Sequence, residues 1–328
     1  MTTLTVLGSG AWGTAVAIHL ASSPGHRVRL WCARPGRARL LREHGENRAL
    51  LPGVPIPPGV HVTEDAAEAT DGAQLWVSAI PTVHLRATLA RLARRPPGVV
   101  SLTKGIEVGT FARPSQILGE VLGAERVAVL SGPSHAEEVS RGLPTSLVAA
   151  SEDEELALEV QRHFTSGRLR VYTNLDPVGV ELAGALKNIM GLAAGIASGL
   201  GLGDNALAAL LTRGLAEMSR FGVAHGAEPA TFSGLAGLGD LITTCVSPHG
   251  RNRRVGQRLA GGEPLAQILQ GMEMVAEGVT TTRAAHARAG QMGVEMPITA
   301  EVYRVLYEGK PPREALASLM GRPMKGER

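Results

Sequence analysis

The apolar run Leu4-Thr5-Val6-Leu7 breaks into Gly8-Ser9-Gly10-Ala11-Trp12-Gly13, and a helical pattern over 12–22 follows at once. Three glycines at this spacing, straight after a strand, leave few conformations open. Gly8 permits the tight turn, Gly10 leaves the backbone bare for close approach of another group, and Gly13 lets the new helix lie against the strand. The first N–H groups of that helix have no acceptor within it, and they sit at its positive end. A second β-rich run at 28–31 completes a strand–turn–helix–strand unit, the arrangement in which a dinucleotide pyrophosphate rests on the helix start. Trp12 admits two readings, core packing or a wall of the nucleotide site.

The alternation continues through half the chain. β-rich runs at 75–79, 99–102, 127–130, 145–149 and 170–172 are spaced by helical patterns such as 83–94 and 114–122. Strands alternating with helices predict βαβ units and a doubly wound, mostly parallel (Rossmann-type) sheet. The stretch 51–58 carries too many prolines for a central element. After Asn174 the β patterns cease. Asp176-Pro177 is a good helix start, with Asp as cap and Pro in the first turn. The expected division is a dinucleotide-binding domain over 1–175 and an all-helical substrate-binding domain over 176–328.

Composition narrows the partners. The chain has 328 residues, 44% hydrophobic and 19% charged, a globular balance with room for two domains. A net charge of +3 is too weak to imply nucleic acid, and 3% aromatic residues leave few surfaces for stacking bases. The mild positive charge is compatible with a small anionic substrate. Cys32 and Cys245 stand far apart with no metal-ligand spacing, which excludes a structural zinc site and fits a reducing compartment. No charged leader precedes the first strand, and the longest uncharged run, 188–203, is short for a bilayer. A cytoplasmic protein with no membrane partner is expected.

Cofactor choice is read where the second strand ends. Trp31-Cys32-Ala33-Arg34 offers no carboxylate for the ribose hydroxyls of NAD, while Arg34 can meet a 2′-phosphate. NADPH is therefore preferred or at least accepted beside NAD, unless Arg34 is simply a surface arginine.

Of 33 basic residues, 29 are arginine; lysine stands only at 104, 187, 310 and 325. Arginine keeps its proton at accessible pH, whereas a desolvated lysine can release it. Lys310 and Lys325 lie near the polar C-terminus and read as solvated surface. Lys104, in Leu102-Thr103-Lys104-Gly105, closes a strand, as does Ile80-Pro81-Thr82; the carboxyl ends of strands border the ligand crevice. Ser131-Gly132-Pro133-Ser134-His135-Ala136 closes another and presents donors to an anion, or else Ser134 caps a helix. Between Asp176 and Asp204 the only charged residues are Glu181 and Lys187. Lys187 either snorkels to water or is desolvated, with a lowered pKa and competence in proton transfer. Neighbouring Asn188 and the scarcity of lysine favour the second. Asp240, in the apolar run 235–245, either pairs with Lys187 or caps a helix. Gly250-Arg251-Asn252-Arg253-Arg254 is a solvated basic loop or a seat for a dianionic phosphate.

At these residues the sequence resembles bacterial NAD(P)-dependent glycerol-3-phosphate dehydrogenase, over nearly the whole chain. Further matching segments are Leu186-Lys187-Asn188-Ile189, Thr212-Arg213-Gly214-Leu215-Ala216-Glu217-Met218, Gly237-Leu238-Gly239-Asp240-Leu241, Glu277-Gly278 and Gly293-Val294-Glu295-Met296-Pro297-Ile298. The resemblance implies hydride transfer between NAD(P)H and dihydroxyacetone phosphate, giving sn-glycerol 3-phosphate for glycerophospholipid synthesis, in a homodimer. It implies that Ala11, Trp12, Arg34, Lys104 and Ala136 contact the cofactor, joined by Arg251, Val275 and Glu277. Lys104, Gly132, Ser134, Lys187, Asp240, Gly250, Arg251 and Asn252 would contact substrate, with Lys187 as acid/base, Lys104 stabilising charge and Asp240 orienting Lys187. Two residues depart from the family pattern. Ala33 stands where His is frequent. Gly250 stands where Ser is usual, removing a side-chain contact while leaving the backbone N–H. Rival readings are a reductase of a carboxylate-bearing hydroxy acid and a non-catalytic NADP-sensing module.

Overall fold

The computed structural model describes residues 1–328 apart from His249, Glu273, Lys325, Glu327 and Arg328. Among these residues eight strands form one sheet: β1 Thr2–Leu7, β2 His26–Trp31, β3 Val60–Thr63, β4 Leu75–Ser78, β5 Val99–Ser101, β6 Val127–Ser131, β7 Thr145–Ala150 and β8 Leu169–Asn174. Their order is β3-β2-β1-β4-β5-β6-β7-β8. Neighbours run parallel except β6 and β7, which are antiparallel. Leu4, Val6, Leu30, Val77 and Val100 are fully buried, as expected of parallel strands with both faces covered by helices. From β1 the chain winds outward to β3, then returns to lay β4 on the other side of β1. That reversal opens a crevice at the carboxyl ends of β1 and β4.

Two elements differ from the expectation. β3 was not anticipated, because it is a four-residue edge strand whose alternation, Val60 and Val62 in and His61 out, is brief and follows the proline-rich stretch. The helix anticipated over 83–94 spans Thr82–Leu89. The chain turns at Ala90 and Arg91, short of Pro96 and Pro97, whose ring geometry bars a helix from running through them.

Beyond β8 the elements are helical. Asp176 starts the first: its Oδ1 accepts the Gly179 N–H at 2.7 Å, while Oδ2 accepts the Glu228 N–H and the Thr231 hydroxyl. The resulting helix, Pro177–Gly199, is buried on every side from Gly179 to Leu192. It is long and apolar enough to cross a membrane, yet 83% of its apolar window lies inside the protein. Around it pack Gly203–Val223, Asp240–Val246, Arg251–Ala260, Glu277–Met292 and Pro297–Tyr307.

The helix Arg251–Ala260 meets this core helix at backbone distance. A Cβ on Gly195 would stand 2.0 Å from the Arg253 carbonyl oxygen, and one on Gly256 would stand 2.1 Å from that of Leu192. Gly191, Gly195 and Gly199, four residues apart on one helical face, leave the groove this approach requires. Lys310 is a correction. It is half-buried, donating to Glu301 Oε2 and Ser318 Oγ at 2.7 Å each, because it ties helix Pro297–Tyr307 to helix Pro312–Met320. The expectation for Lys325 falls outside the described residues.

Candidate active site

The turn after β1 has the conformation its glycines suggest. Gly8 adopts φ +113°, and a Cβ on Gly13 would lie 1.9 Å from the Gly8 carbonyl oxygen, so helix Ala11–Ala21 presses against the turn. Nothing stands within 4 Å of the place a Cβ on Gly10 would occupy. Gly8, Gly10, Ala11 and Trp12 line a cleft of 770 Å³ that runs from Ala33 and Arg34 to Lys104, Lys187 and Arg251. Gly13 is buried behind it, a packing residue. Trp12 satisfies both of its readings: it packs on the apolar core and walls the cleft, and among the described residues its indole N–H has no partner. An open helix start beside a bare glycine is what a dinucleotide pyrophosphate rests on. Arg34 is exposed at the cleft's far end, with Arg37 and Arg91 beside it.

At the other end three charged side chains converge. Asp240, 2% exposed, opens helix Asp240–Val246, but its carboxylate does not cap that helix. Oδ1 accepts from Lys187 Nζ at 2.9 Å and Oδ2 from Lys104 Nζ at 2.7 Å. Lys187 also donates to Thr244 Oγ1 at 2.6 Å, and Lys104 to the Gly132 carbonyl at 2.8 Å and Ser134 Oγ at 3.3 Å. Burial pulls the Lys187 ammonium down to about 8; nearby Lys104 reinforces this and Asp240 opposes it. Burial pushes the Asp240 carboxyl up, but the two ammonium groups outweigh it and hold it below its ordinary value. Lys187 is thus desolvated rather than snorkelled, with the proton loosened near neutral pH.

A chain of amides braces the centre. Asn188 Nδ2 donates to the Lys104 carbonyl and Oδ1 accepts from Asn252 Nδ2, both at 3.0 Å; Asn252 Oδ1 accepts the Gly278 N–H at 3.0 Å. Arg251, exposed in the cleft at the start of its helix, donates from Nη1 to the Val275 carbonyl at 3.0 Å. Glu277 is half-buried; desolvation pushes its carboxyl up, and the Thr82 N–H and hydroxyl counter that by donating to it.

Most of the residues named from the sequence meet here; a few take other roles. Gly132 does not line the cleft: its carbonyl is occupied by Lys104, and at φ +123° a side chain would strike Leu147. Ser134 is no helix cap, since His135 holds that position, and its hydroxyl bonds to the Gly132 carbonyl. The Gly250 N–H donates to the Ser247 carbonyl at 3.3 Å and so is not left over for a ligand. Among the described residues Asn252 spends its carbonyl and one amide hydrogen internally, leaving one hydrogen. Ala136 and Val275 do face the cleft. Thr244 was not named from the sequence. Its signal is the four-residue spacing from Asp240, which puts both on one helical face.

Sequence profiles place this geometry among known proteins. Residues 3–157 match the NAD-dependent glycerol-3-phosphate dehydrogenase N-terminus and 176–317 the C-terminus of the same. The chain belongs to the NAD-dependent glycerol-3-phosphate dehydrogenase family. It is 53% identical to "Glycerol-3-phosphate dehydrogenase [NAD(P)+]" of Moorella thermoacetica, covering 99% of this chain and 97% of that one. The Geobacillus thermodenitrificans protein of the same name is 50% identical, covering 100% and 97%. The crystal structure of glycerol-3-phosphate dehydrogenase from Coxiella burnetii superposes with a TM-score of 0.93 at 36% identity, over 98% of this chain and 99% of that one. Within the glycerol-3-phosphate dehydrogenase family the two departures have a local setting. Ala33 is half-buried, and its carbonyl accepts from Arg91 Nη1 at 2.7 Å. A Cβ on Gly250 would lie 3.0 Å from the Thr244 carbonyl oxygen, a tight fit for any side chain.

Proposed function

We propose that this protein reduces dihydroxyacetone phosphate to sn-glycerol 3-phosphate with NADPH or NADH, supplying glycerophospholipid synthesis. The observation that carries the reading is the buried Lys187–Asp240–Lys104 group facing the cleft. The domains would be 1–175, holding the nucleotide, and 176–328, holding the substrate, in a cytoplasmic homodimer.

The nucleotide would rest on Gly8, Gly10, Ala11 and Trp12, with Arg34 toward a 2′-phosphate and Ala136, Val275 and Glu277 along its length. When bound, the nicotinamide supplies the hydride. Arg251, tethered through one nitrogen to the Val275 carbonyl, keeps its other donors for the substrate phosphate, and Asn252 adds its free amide hydrogen. That grip orients the carbonyl toward the lysines. Negative charge developing on the carbonyl oxygen meets Lys104 and Lys187, two ammonium groups against one carboxylate. Lys187 gives up its proton to that oxygen; burial has made the loss easy, and Asp240 and Thr244 keep Nζ aimed. Gly132 and Ser134 serve by holding Lys104.

Purified protein is assayed for oxidation of NADPH and NADH with dihydroxyacetone phosphate and with phosphate-free 2-ketoacids. Turnover confined to the phosphate ester is expected. Equal turnover of a ketoacid would favour the hydroxy-acid rival, and none with any ketone would favour the sensing module.

A further inference from the structure

Thr82 and Glu277, 195 residues apart in sequence, are bound to each other twice. Glu277 Oε1 accepts from the Thr82 N–H and from its hydroxyl, each at 2.9 Å. Thr82 starts helix Thr82–Leu89 after β4 and is 5% exposed. Pro81 and His84 line the cleft, while Thr82 lies behind them. The pair shapes its surroundings: a Cβ on Gly105 would stand 2.4 Å from Thr82 Oγ1 and 3.1 Å from Glu277 Oε1. Lys104 is therefore followed by a residue without a side chain.

Glu277 also sits within a short segment that holds both basic-loop residues. On one side the Val275 carbonyl accepts from Arg251, and on the other the Gly278 N–H donates to Asn252. Asn252 continues to Asn188, and Asn188 to the carbonyl of Lys104, the neighbour of Gly105. The Thr103 hydroxyl donates to the Ile80 carbonyl at 2.8 Å, so hydrogen bonds and short runs of backbone make a ring through both halves of the chain, and the Thr82 hydroxyl is one of its fastenings. A guanidinium fork grips a phosphate well only if it is held in place beforehand.

We propose that Thr82 is a positioning residue for the substrate's phosphate: by holding Glu277 it sets the 275–278 segment and, through it, Arg251 and Asn252. This rests on the dehydrogenase reading above. It touches neither the reacting carbon nor the proton donor; because Val275 and Glu277 also flank the nucleotide, its influence is read at saturating NADPH, where it falls on substrate affinity and on phosphate-bearing substrates in particular.

The test compares wild type, Thr82→Val and Thr82→Ser at saturating NADPH, using dihydroxyacetone phosphate and phosphate-free dihydroxyacetone. Valine keeps the shape and loses the donor; serine keeps the donor. Thr82→Val is expected to raise KM for the phosphate ester about tenfold with kcat within about twofold, as for one lost bond to a charged group. Its kcat/KM for dihydroxyacetone stays at the wild-type value, and Thr82→Ser restores the phosphate-ester KM. A wild-type KM in Thr82→Val, an equal loss with both ketones, or no rescue by serine would overturn the proposal. Should the valine variant fail to fold, Thr82→Ala carries the same expectation. Inorganic phosphate binding by calorimetry reads the grip without turnover. An inactive wild type that binds phosphate, with weaker binding in Thr82→Val, would sink the dehydrogenase reading and leave the role of Thr82 standing.

Discussion

Asp240 holds one ammonium on each of its oxygens, so Lys187 is tuned by both a partner and a competitor. Burial and Lys104 loosen its proton; Asp240 keeps the charged form affordable in an apolar interior. Ketone reduction needs the protonated form and the reverse oxidation needs the neutral amine. Reduction is therefore expected to fall as pH rises through about 8 and oxidation to rise over the same range, which initial-rate pH profiles in both directions will check. Lys187→Ala removes the donor and should lower kcat on the order of 10²–10⁴-fold, measured by steady-state kinetics beside a circular dichroism check of folding. A variant with wild-type kcat would remove Lys187 from the mechanism.

The core helix Pro177–Gly199 does two jobs at two heights along one stripe. Midway along, Lys187 and Asn188 line the cleft; two to three turns further on, Gly195 and Gly199 seat helix Arg251–Ala260 so closely that Asn252 reaches Asn188. A methyl group at Gly256 would force these backbones apart. Gly256→Ala is expected to lower unfolding free energy by about 1–3 kcal/mol, read by urea denaturation, and to raise KM for substrate because Asn252 moves with its helix. Gly290, also helical, has nothing within 4 Å of a Cβ position. Gly290→Ala should instead add about 0.4–1 kcal/mol by the same measurement, since only the unfolded chain's freedom changes.

At the scale of the molecule, the cleft draws its walls from the turn after β1 and from helices more than 200 residues later. A ligand filling it binds the folded form alone. NADPH at about 100 times its Kd should raise unfolding free energy by about 2.7 kcal/mol, seen as a higher midpoint in thermal denaturation. Arg34→Ala should shrink the shift given by NADPH and leave that of NADH unchanged; equal loss for both would remove Arg34 from 2′-phosphate recognition.

Much of this was legible in the chain. Gly8, Gly10 and Gly13 act within a few residues of one another, so spacing alone sets the turn and the helix start. The scarcity of lysine singled out Lys104 and Lys187, because a titratable cation in an apolar segment needs a chemical reason. β3 escaped notice because four edge residues carry little periodic signal. What only the tertiary structure decided is who meets whom. Asp240 bridging two lysines, Thr244 against Lys187, and Thr82 fastened to Glu277 depend on contacts between residues 53 to 195 positions apart. Residue type shows that a buried charge requires partners; packing of the whole chain selects them.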